Sequence, residues 1–358
     1  MKDKAVLAVL AIMVISLSFS GCVTDESGGV DTFTVTDMAG REVEVPKEVD
    51  EVVGVEAGAL RLLVYMNATD MVVGVEDFEK TDSKRPYIMA HPELQNKPSI
   101  GPIHGGDPEL ITSKQPDVIF WTYTEAGEAD DLQEQTGIPV IVLSYGDIDD
   151  NRGTFYEALD LIGEVLGKKE RAEEVQGFFD EKIADLQDRT DNILEEEKPS
   201  CYVGGIGYRG PHGIESTEPD YSPFGFVNAK NVAGDIEQEH AMIDIEQVIQ
   251  WNPDKIFVDA GGYDLMMEDI DNSSALSSLD AIKDGELYAV LPYNYYTANF
   301  GTILINSYFI GKTLYPDSFE DININEEAAD IYRFLVGDDV LQDMEEDFVS
   351  LGEVETDG

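Results

Sequence analysis

The sequence predicts an α/β protein of two lobes, each built on a mostly parallel sheet, with one long helix bridging them. Three observations predict this fold. From Thr154 to about Glu197, apolar residues recur three and four positions apart, which is the period of an amphipathic helix. Alternating strand and helix patterns flank this stretch on both sides. One short helix–strand pattern occurs almost unchanged on each side.

The central helical stretch is long enough to join two lobes. A capping box at Thr154–Glu157 predicts its start, Gly167–Lys169 predicts a break, and Pro199 predicts its end. The part from Lys168 to Glu195 would reach about 40 Å at about 1.5 Å per residue, which exceeds the width of a small domain. The alternative is one helix within a larger single domain.

The repeated pattern is a short helix followed by a strand. In the first copy, Asp107–Ile111 precedes Pro116–Trp121; in the second, Asp244–Val248 precedes Pro253–Val258. In each copy the aspartate is suited to cap the helix and a glutamate falls in the first turn, where the helix dipole favours negative charge. The pattern predicts equivalent units, one per lobe, although two ordinary helix–strand units could resemble each other by chance.

Residues 1–22 have the pattern of a lipoprotein signal peptide. A short basic segment precedes an apolar run from Ala5 to about Leu17, which is too short to span a membrane comfortably. Cys22 stands where a lipoprotein carries its acylated cysteine, although Phe19 replaces the commoner leucine. Residues 23–31 suit a flexible tether. The alternative is an uncleaved anchor helix, and both interpretations place the protein on the outer face of a membrane.

The charge of the chain is strongly one-sided. Seventy-four acidic residues against 23 basic residues give a net charge of −51, which excludes nucleic acid as a partner. The acidic residues are dispersed through every segment, which favours adaptation to concentrated salt, where self-repulsion is screened. An acidic sponge for metal ions is the alternative, and the dispersion of the charges argues against it.

The first lobe, residues 32–153, shows alternating strand and helix patterns. Its predicted strands are Glu51–Val55, Met71–Val75, Val118–Trp121 and Pro139–Leu143. Its predicted helices lie near Gly58–Met66, Pro108–Lys114 and Ala129–Gln135. This alternation predicts a mostly parallel sheet, and such sheets bind ligands beyond the carboxyl ends of their strands.

The second lobe, residues 198–358, repeats the scheme after the bridging segment 154–197. Its predicted strands are Ser200–Gly204, Lys255–Val258 and Leu287–Leu291, and its last helices lie near Thr302–Leu314 and Glu326–Val336. The tail is expected to fray from Glu353 to Gly358. Two Rossmann-like lobes are the resulting prediction.

The order of these segments resembles one known family. The signal peptide, the opening segment Thr34–Pro46, the two repeated units and the Leu166–Glu173 part of the bridging helix are similar to iron-complex and cobalamin-type ABC-transporter substrate-binding proteins. The resemblance covers nearly all of the mature chain. It implies a lipid-anchored monomer on the outer face of the cytoplasmic membrane, without catalysis or an intrinsic cofactor, that serves an ABC permease and its ATPase.

The resemblance also implies a docking role for two glutamates. In such proteins one exposed glutamate on each lobe pairs with arginines of the permease, and Glu109 and Glu246 match those positions. Carboxylate–guanidinium pairs are bidentate and orienting. The alternative is that both glutamates only favour the dipoles of their own helices.

The implied cargo is a metal complex, such as a ferric siderophore-like chelate or a tetrapyrrole of the cobalamin or haem type, held in the cleft between the lobes. Arginines could bind its anionic groups or merely neutralise nearby acids, and aromatic residues could stack on it, ligate iron or pack internally. The candidate contacts are Arg61, Arg85, His104, Trp121, Tyr123, Tyr208, Arg209, Tyr263, Tyr293, Tyr295 and Tyr296.

Two other functions are less consistent with the sequence. A bare zinc or manganese ion needs several converging ligands, and only His104 and His212 stand in comparable loops. A nitrogenase-like bilobal oxidoreductase would need cluster cysteines, but Cys201 is the only cysteine besides Cys22. The glycine pattern Gly205–Gly210 follows a strand but precedes more loop, so it lacks the helix that a dinucleotide site requires.

Overall fold

The computed structural model describes residues 31–355 of the 358-residue chain. The signal peptide, the predicted anchor Cys22 and nearly all of the tether lie outside the described residues. Between residues 31 and 355, no helix combines the length and the apolar character needed to cross a bilayer.

The first lobe begins with the antiparallel hairpin β1 (Thr32–Thr36) and β2 (Glu42–Pro46) and continues into a four-stranded parallel sheet in the order β4-β3-β5-β6. The strands of this sheet are β3 (Val52–Val55), β4 (Val72–Gly74), β5 (Val118–Thr122) and β6 (Val140–Leu143). The helices are α1 (Ala59–Tyr65), α2 (Pro86–Ala90), α3 (Pro108–Lys114) and α4 (Ala126–Thr136). The strand order changes direction between β3 and β5, which opens a crevice at their carboxyl ends.

The bridging segment is divided near the predicted break into two helices, α5 (Arg152–Val165) and α6 (Lys169–Thr190). α5 begins before the predicted capping box, with Asn151 as its cap residue. The helical conformation is interrupted at Gly167, whose φ of 67° is left-handed. At 22 residues, α6 spans about 33 Å, less than predicted because it ends at Thr190. Its predicted apolar stripe is buried, from Ala172 to Leu186.

The second lobe contains a five-stranded sheet in the order β13-β12-β11-β7-β9, parallel except for β13, and a separate antiparallel pair, β8 and β10. The strands are β7 (Ser200–Gly204), β8 (Ser216–Thr217), β9 (Lys230–Asn231), β10 (Ala241–Met242), β11 (Lys255–Asp259), β12 (Leu287–Val290) and β13 (Gly352–Glu353). The helices are α7 (Ser222–Phe226), α8 (Ile245–Trp251), α9 (Tyr263–Asn272), α10 (Asp280–Lys283), α11 (Phe300–Leu314), α12 (Ile324–Val336) and α13 (Leu341–Asp347). The expected fraying therefore does not begin at Glu353, because Gly352 and Glu353 pair with β12.

The repeated units occupy equivalent places in the two sheets. α3 leads into β5, which lies beside β3, and α8 leads into β11, which lies beside β7. Asp117 accepts hydrogen bonds from the backbone N–H groups of Asp50 and Glu51 just before β3, and Asp254 accepts from the backbone of Ser200 at the start of β7. Each aspartate thus ties the neighbouring strand to the repeated unit.

One hydrophobic core is shared by the two lobes, and each lobe also has a smaller core of its own. Phe155 of α5 lies edge-on to Phe179 of α6, with ring centroids 5.3 Å apart, and to Phe300 of α11, at 4.7 Å. All three side chains are fully buried. Because these aromatic contacts join the connecting helices to the second lobe, they limit how far the lobes can move apart.

Candidate functional site

A cavity of about 490 Å³ lies between the lobes, where the loops that follow β7, β11 and β12 meet the first lobe. Asp82 and Lys84 line its first-lobe side, and Phe348 lines it near the end of the chain. The crevice at the carboxyl ends of parallel strands is where sheets of this kind bind ligands. A larger cavity of about 690 Å³ lies elsewhere, between α6 and the segment around α7, away from these strand ends.

Two cationic side chains, one from each lobe, line this cavity. Lys84 comes from the first lobe and Arg209 from the loop after β7 in the second lobe. Neither has a carboxylate oxygen within 4.0 Å among residues 31–355, in contrast to most basic side chains of the chain. Lys84 Nζ lies 5.2 Å from the ring centre of Phe348, and the Arg209 guanidinium lies 5.4 Å from that of Tyr208. Lysine and arginine side chains of this kind can bind anionic oxygen atoms, although the carboxyl groups of Asp82 and Asp259 also line this cavity.

The loop after β12 belongs to the second lobe but is bonded to the first. Tyr295 and Tyr296, which both line the cavity, donate hydroxyl hydrogen bonds to Asp82 at 2.8 Å and to Glu76 at 2.9 Å. The hydroxyl groups of Tyr123 and Thr297 are 2.7 Å apart. The tyrosines therefore form a wall of the cavity that is held against the first lobe.

Arg61 and Arg85 are both fully buried and do not line the cavity. Arg61 donates to the backbone oxygens of Ala298 at 2.8 Å and Tyr296 at 3.0 Å, so it braces the same loop from inside. Arg85 is paired with Glu79, its Nε 3.2 Å from the carboxylate. Their burial and these contacts fit an internal role, so neither is part of the proposed contact set.

The other candidate aromatic residues are distributed around the cavity. Tyr293 is buried and its hydroxyl donates to Glu218, so it packs internally. Tyr263 lines an adjoining cavity of about 420 Å³ that shares Lys84 with the first. Tyr208 is exposed and stacks on His240 with ring centroids 4.3 Å apart.

A third group lies at the first-lobe edge of the crevice. His104 is exposed, and its Nδ1 lies 2.7 Å from a carboxylate oxygen of Glu56, which follows β3. The ring of the half-buried Trp121 lies beside Gly105, the next residue after His104. Glu76 is nearly fully buried and accepts hydrogen bonds from Tyr296 and from the backbone N–H of Glu56. Burial raises the pKa of Glu76 to about 7.

This shift predicts a pH-dependent stability. Because the folded-state pKa of Glu76 is raised, its stabilising contribution is full below the unfolded pKa near 4.5 and is lost as pH rises through about 7. We therefore compare the free energy of unfolding of Glu76→Gln with that of the wild type. The difference should shift in favour of Glu76→Gln by up to about 3 kcal/mol between about pH 4 and pH 8. Urea unfolding across this range measures the difference. Glu44→Gln, at an exposed position, should track the wild type; equal curves for Glu76→Gln would contradict the prediction.

Metal-ligating chemistry is sparse. In the part of the chain that the structure describes, no three or more His, Cys, Asp or Glu side chains are grouped so as to hold a metal ion. His212 and His240 come nearest each other, with ring centroids 6.3 Å apart, and each has its Nε2 at a protein oxygen. Cys201 is buried, which raises the pKa of its thiol and keeps it protonated.

Sequence reasoning did not single out Lys84 or Asp259, although both line the cavity. Lys84 stands beside the buried Arg85 in a segment without a strand or helix pattern. Asp259 is the last residue of β11. Its position directly after the predicted strand could have identified it, because residues at the carboxyl ends of parallel strands lie at the crevice.

Comparison with known proteins places these features in a wider group. The sequence profile of the family described as "Periplasmic binding protein" matches residues 52–293. The molybdate-binding protein MolA of Haemophilus influenzae is 24% identical over 359 residues, covering 93% of this chain and 96% of the relative. An uncharacterized ABC transporter substrate-binding lipoprotein of Bacillus subtilis, YvrC, is 21% identical, covering 90% and 100%.

Solved structures show the same fold. The structure of MolA bound to molybdate superposes with a TM-score of 0.66 at 22% identity, covering 85% of this chain and 98% of the other. A periplasmic solute-binding protein from Veillonella parvula gives a TM-score of 0.71 at 19% identity, covering 88% and 95%. At these identities the likeness establishes the two-lobed architecture.

Proposed function

The chain belongs to the periplasmic binding protein family, and from that premise we propose that it captures an anionic metal species between its lobes and delivers it to an ABC permease. It is an extracytoplasmic ABC-transporter substrate-binding protein rather than an enzyme. Proteins of this family bind the ligand that is transported and hold no cofactor of their own.

The observation that carries the proposal is that Lys84 and Arg209, which have no carboxylate oxygen within 4.0 Å among residues 31–355, line one cavity from opposite lobes. An anion that contacts both cations binds the closed arrangement more tightly than an open one, and only such a difference in affinity can close the lobes. Charge-assisted hydrogen bonds from a lysine and an arginine suit oxygen atoms that carry negative charge.

Both a metal oxyanion and an anionic ferric chelate fit this chemistry. MolA, a relative over nearly the whole chain, is named for binding molybdate, which supports an oxygen-rich anion. The cavity of about 490 Å³ has room for either. Direct ligation of a metal by Tyr295 or Tyr296 is less favoured, because both hydroxyl groups are already bonded to first-lobe carboxylates.

Docking to the permease is proposed to use Glu109 and Glu246. Both are exposed and lie in the first turns of α3 and α8, the equivalent helices of the two lobes. Each stands near an exposed apolar side chain, Leu110 on the first lobe and Met242 on the second. The carboxylates would orient the permease arginines, and the apolar side chains would keep the contact effective where salt screens charge.

A lipid anchor at Cys22 and a monomeric state complete the proposal. The similarity to YvrC, which is named a lipoprotein, supports the anchor. Mass spectrometry of the mature N-terminal peptide tests it, since an unmodified Cys22 peptide would contradict the anchor.

The cargo class can be tested on the protein as cells make it. The chain is purified from its native membrane without chelators, and bound elements are counted per protein by plasma mass spectrometry. We expect one metal of an anionic species, such as molybdenum, tungsten or iron, at up to one atom per chain. Zinc or manganese at that ratio, with no other metal, would contradict the proposal and favour a bare-ion site.

A further inference from the structure

Asp259 is a buried acid in the wall of the interlobe cavity. It ends β11, lines the cavity and is 3% exposed. Its Oδ1 accepts a hydrogen bond from the backbone N–H of Gly261 at 2.8 Å. Its Oδ2 makes no hydrogen bond, and no cationic nitrogen lies within 4.0 Å, among residues 31–355. One oxygen of this carboxyl is thus left for a ligand.

The groups around Asp259 do not supply a compensating positive charge. Glu218, Tyr221 and Tyr293 face it from neighbouring segments of the second lobe, and burial raises the pKa of Glu218 itself to about 7. Lys84, Arg209 and Asp82 share the cavity, but neither cation pairs with Asp259. Burial, opposed only by the Gly261 hydrogen bond and aided by Glu218, raises the pKa of Asp259 well above its usual range.

A neutral acid and an ionised acid would treat ligands in opposite ways. An unpaired carboxylate in this wall would repel an anion held by Lys84 and Arg209 and would attract a metal cation. A carboxylic acid would instead donate an O–H hydrogen bond to an anionic oxygen. The protonation state of this one side chain therefore decides which class of ligand the cavity accepts.

We propose that Asp259 is a specificity-determining residue that binds the ligand as a neutral acid, donating from Oδ2 to an oxygen of the anion. The assignment rests on the proposed function and narrows it to anions that present an unprotonated oxygen at this wall. No covalent bond forms or breaks in this step. The proton comes from solvent whenever Asp259 is ionised in the free protein.

Proton exchange then reports the ligand class. Anion binding stabilises the acid form of Asp259, so at alkaline pH the protein takes up a proton when the anion binds. The affinity for the anion should fall by up to about tenfold per pH unit above the pKa that Asp259 has in the free protein. A bare metal cation would release a proton instead. Asp259→Asn keeps the shape, the acceptor for Gly261 and an N–H donor but cannot ionise, so its affinity should not depend on pH.

Calorimetric titration in concentrated salt tests this with sodium molybdate and ferric citrate as probes. Each titration uses two buffers of different ionisation enthalpy, near pH 6 and near pH 9, which yields the number of protons exchanged. Near pH 9 the wild type should take up protons on binding, at most one of them through Asp259, and should bind more weakly than near pH 6. The variant Asp259→Asn should take up fewer protons than the wild type, because proton exchange by the probe itself is the same for both proteins and cancels in the difference.

A matched control is Asp271→Asn, which removes an exposed carboxylate from α9, close in sequence but outside both cavities that Lys84 lines. It should behave as the wild type. Equal proton uptake by Asp259→Asn and the wild type would overturn the role of Asp259 and leave the anion site intact. Binding of Zn²⁺ with proton release, and of neither anion, would overturn both this assignment and the proposed function.

Discussion

Replacing Glu109 and Glu246 together with alanine is expected to abolish uptake of the ligand while leaving its affinity for the purified protein unchanged. Both carboxylates are exposed and neither lines the interlobe cavity. Because permease arginines would lose both partners, each at a cost of about 2–5 kcal/mol, the affinity for the permease should fall at least about a thousandfold. Uptake of radiolabelled molybdate or iron by whole cells, with calorimetry on the purified variant, measures the two quantities.

The control for this pair is Glu170→Ala with Glu326→Ala. These glutamates are also exposed and lie in the first turns of α6 and α12. The control therefore removes the same charge and the same kind of favourable interaction with a helix dipole. Uptake by the control should be normal. Normal uptake by the Glu109 and Glu246 variant would refute the docking surface, and an equal loss in both variants would assign the effect to net charge.

Replacing Lys84 and Arg209 together with glutamine is expected to lower the affinity for an anionic metal species at least about a hundredfold. Each side chain would lose a charge-assisted hydrogen bond, worth about 1.5–3 kcal/mol, and the two come from opposite lobes. The loss of affinity should appear mainly as a faster rate of dissociation, because contacts to both cations stabilise the closed state. Calorimetry with molybdate and ferric citrate in concentrated salt measures the affinity.

Lys97→Gln with Lys114→Gln is the matched control. Neither lysine has a carboxylate within 4.0 Å in the described chain, and neither lines the cavity, so the same charge is removed from elsewhere. Affinity should be unchanged within about twofold, because charges beyond a Debye length are screened. An equal loss in both variants would mean that net charge, rather than the cavity, attracts the ligand.

The family and the two-lobed α/β fold were predictable because their signals are local. Apolar runs locate the strands, so that β7 has the predicted bounds and β11 is only extended by Asp259. α3 likewise has the predicted bounds, since Asp107 accepts a cap hydrogen bond from Leu110 at 2.8 Å. Asp244 makes no such side-chain cap, although the matching motif predicted one. Long-range pairing was not predictable: β13 is a strand only because β12 offers it an edge.

The site was only partly predictable. Loops after parallel strands directed attention to Arg209, Tyr295 and Tyr296, which line the cavity; their contact with a ligand stays a prediction. The sequence could not show that Arg61 is internal whereas Arg209 lines the cavity. The burial of Arg61 depends on its contacts with a loop more than 230 residues away in the chain. Lys84 escaped notice for a related reason, since what distinguishes it is that no carboxylate among residues 31–355 pairs with it in the folded chain.

The central claim, an anion site between Lys84 and Arg209, is tested most directly by equilibrium dialysis of the soluble chain from Thr24 onward in concentrated salt. The panel holds molybdate, ferric citrate, a ferric hydroxamate, haemin, cobalamin, Zn²⁺ and Mn²⁺, each counted by its metal. We predict saturable binding of at least one anionic species, at one per chain, that is lost when Lys84 and Arg209 are both replaced with glutamine. Saturation by Zn²⁺ or Mn²⁺ alone, undiminished in that variant, would contradict it.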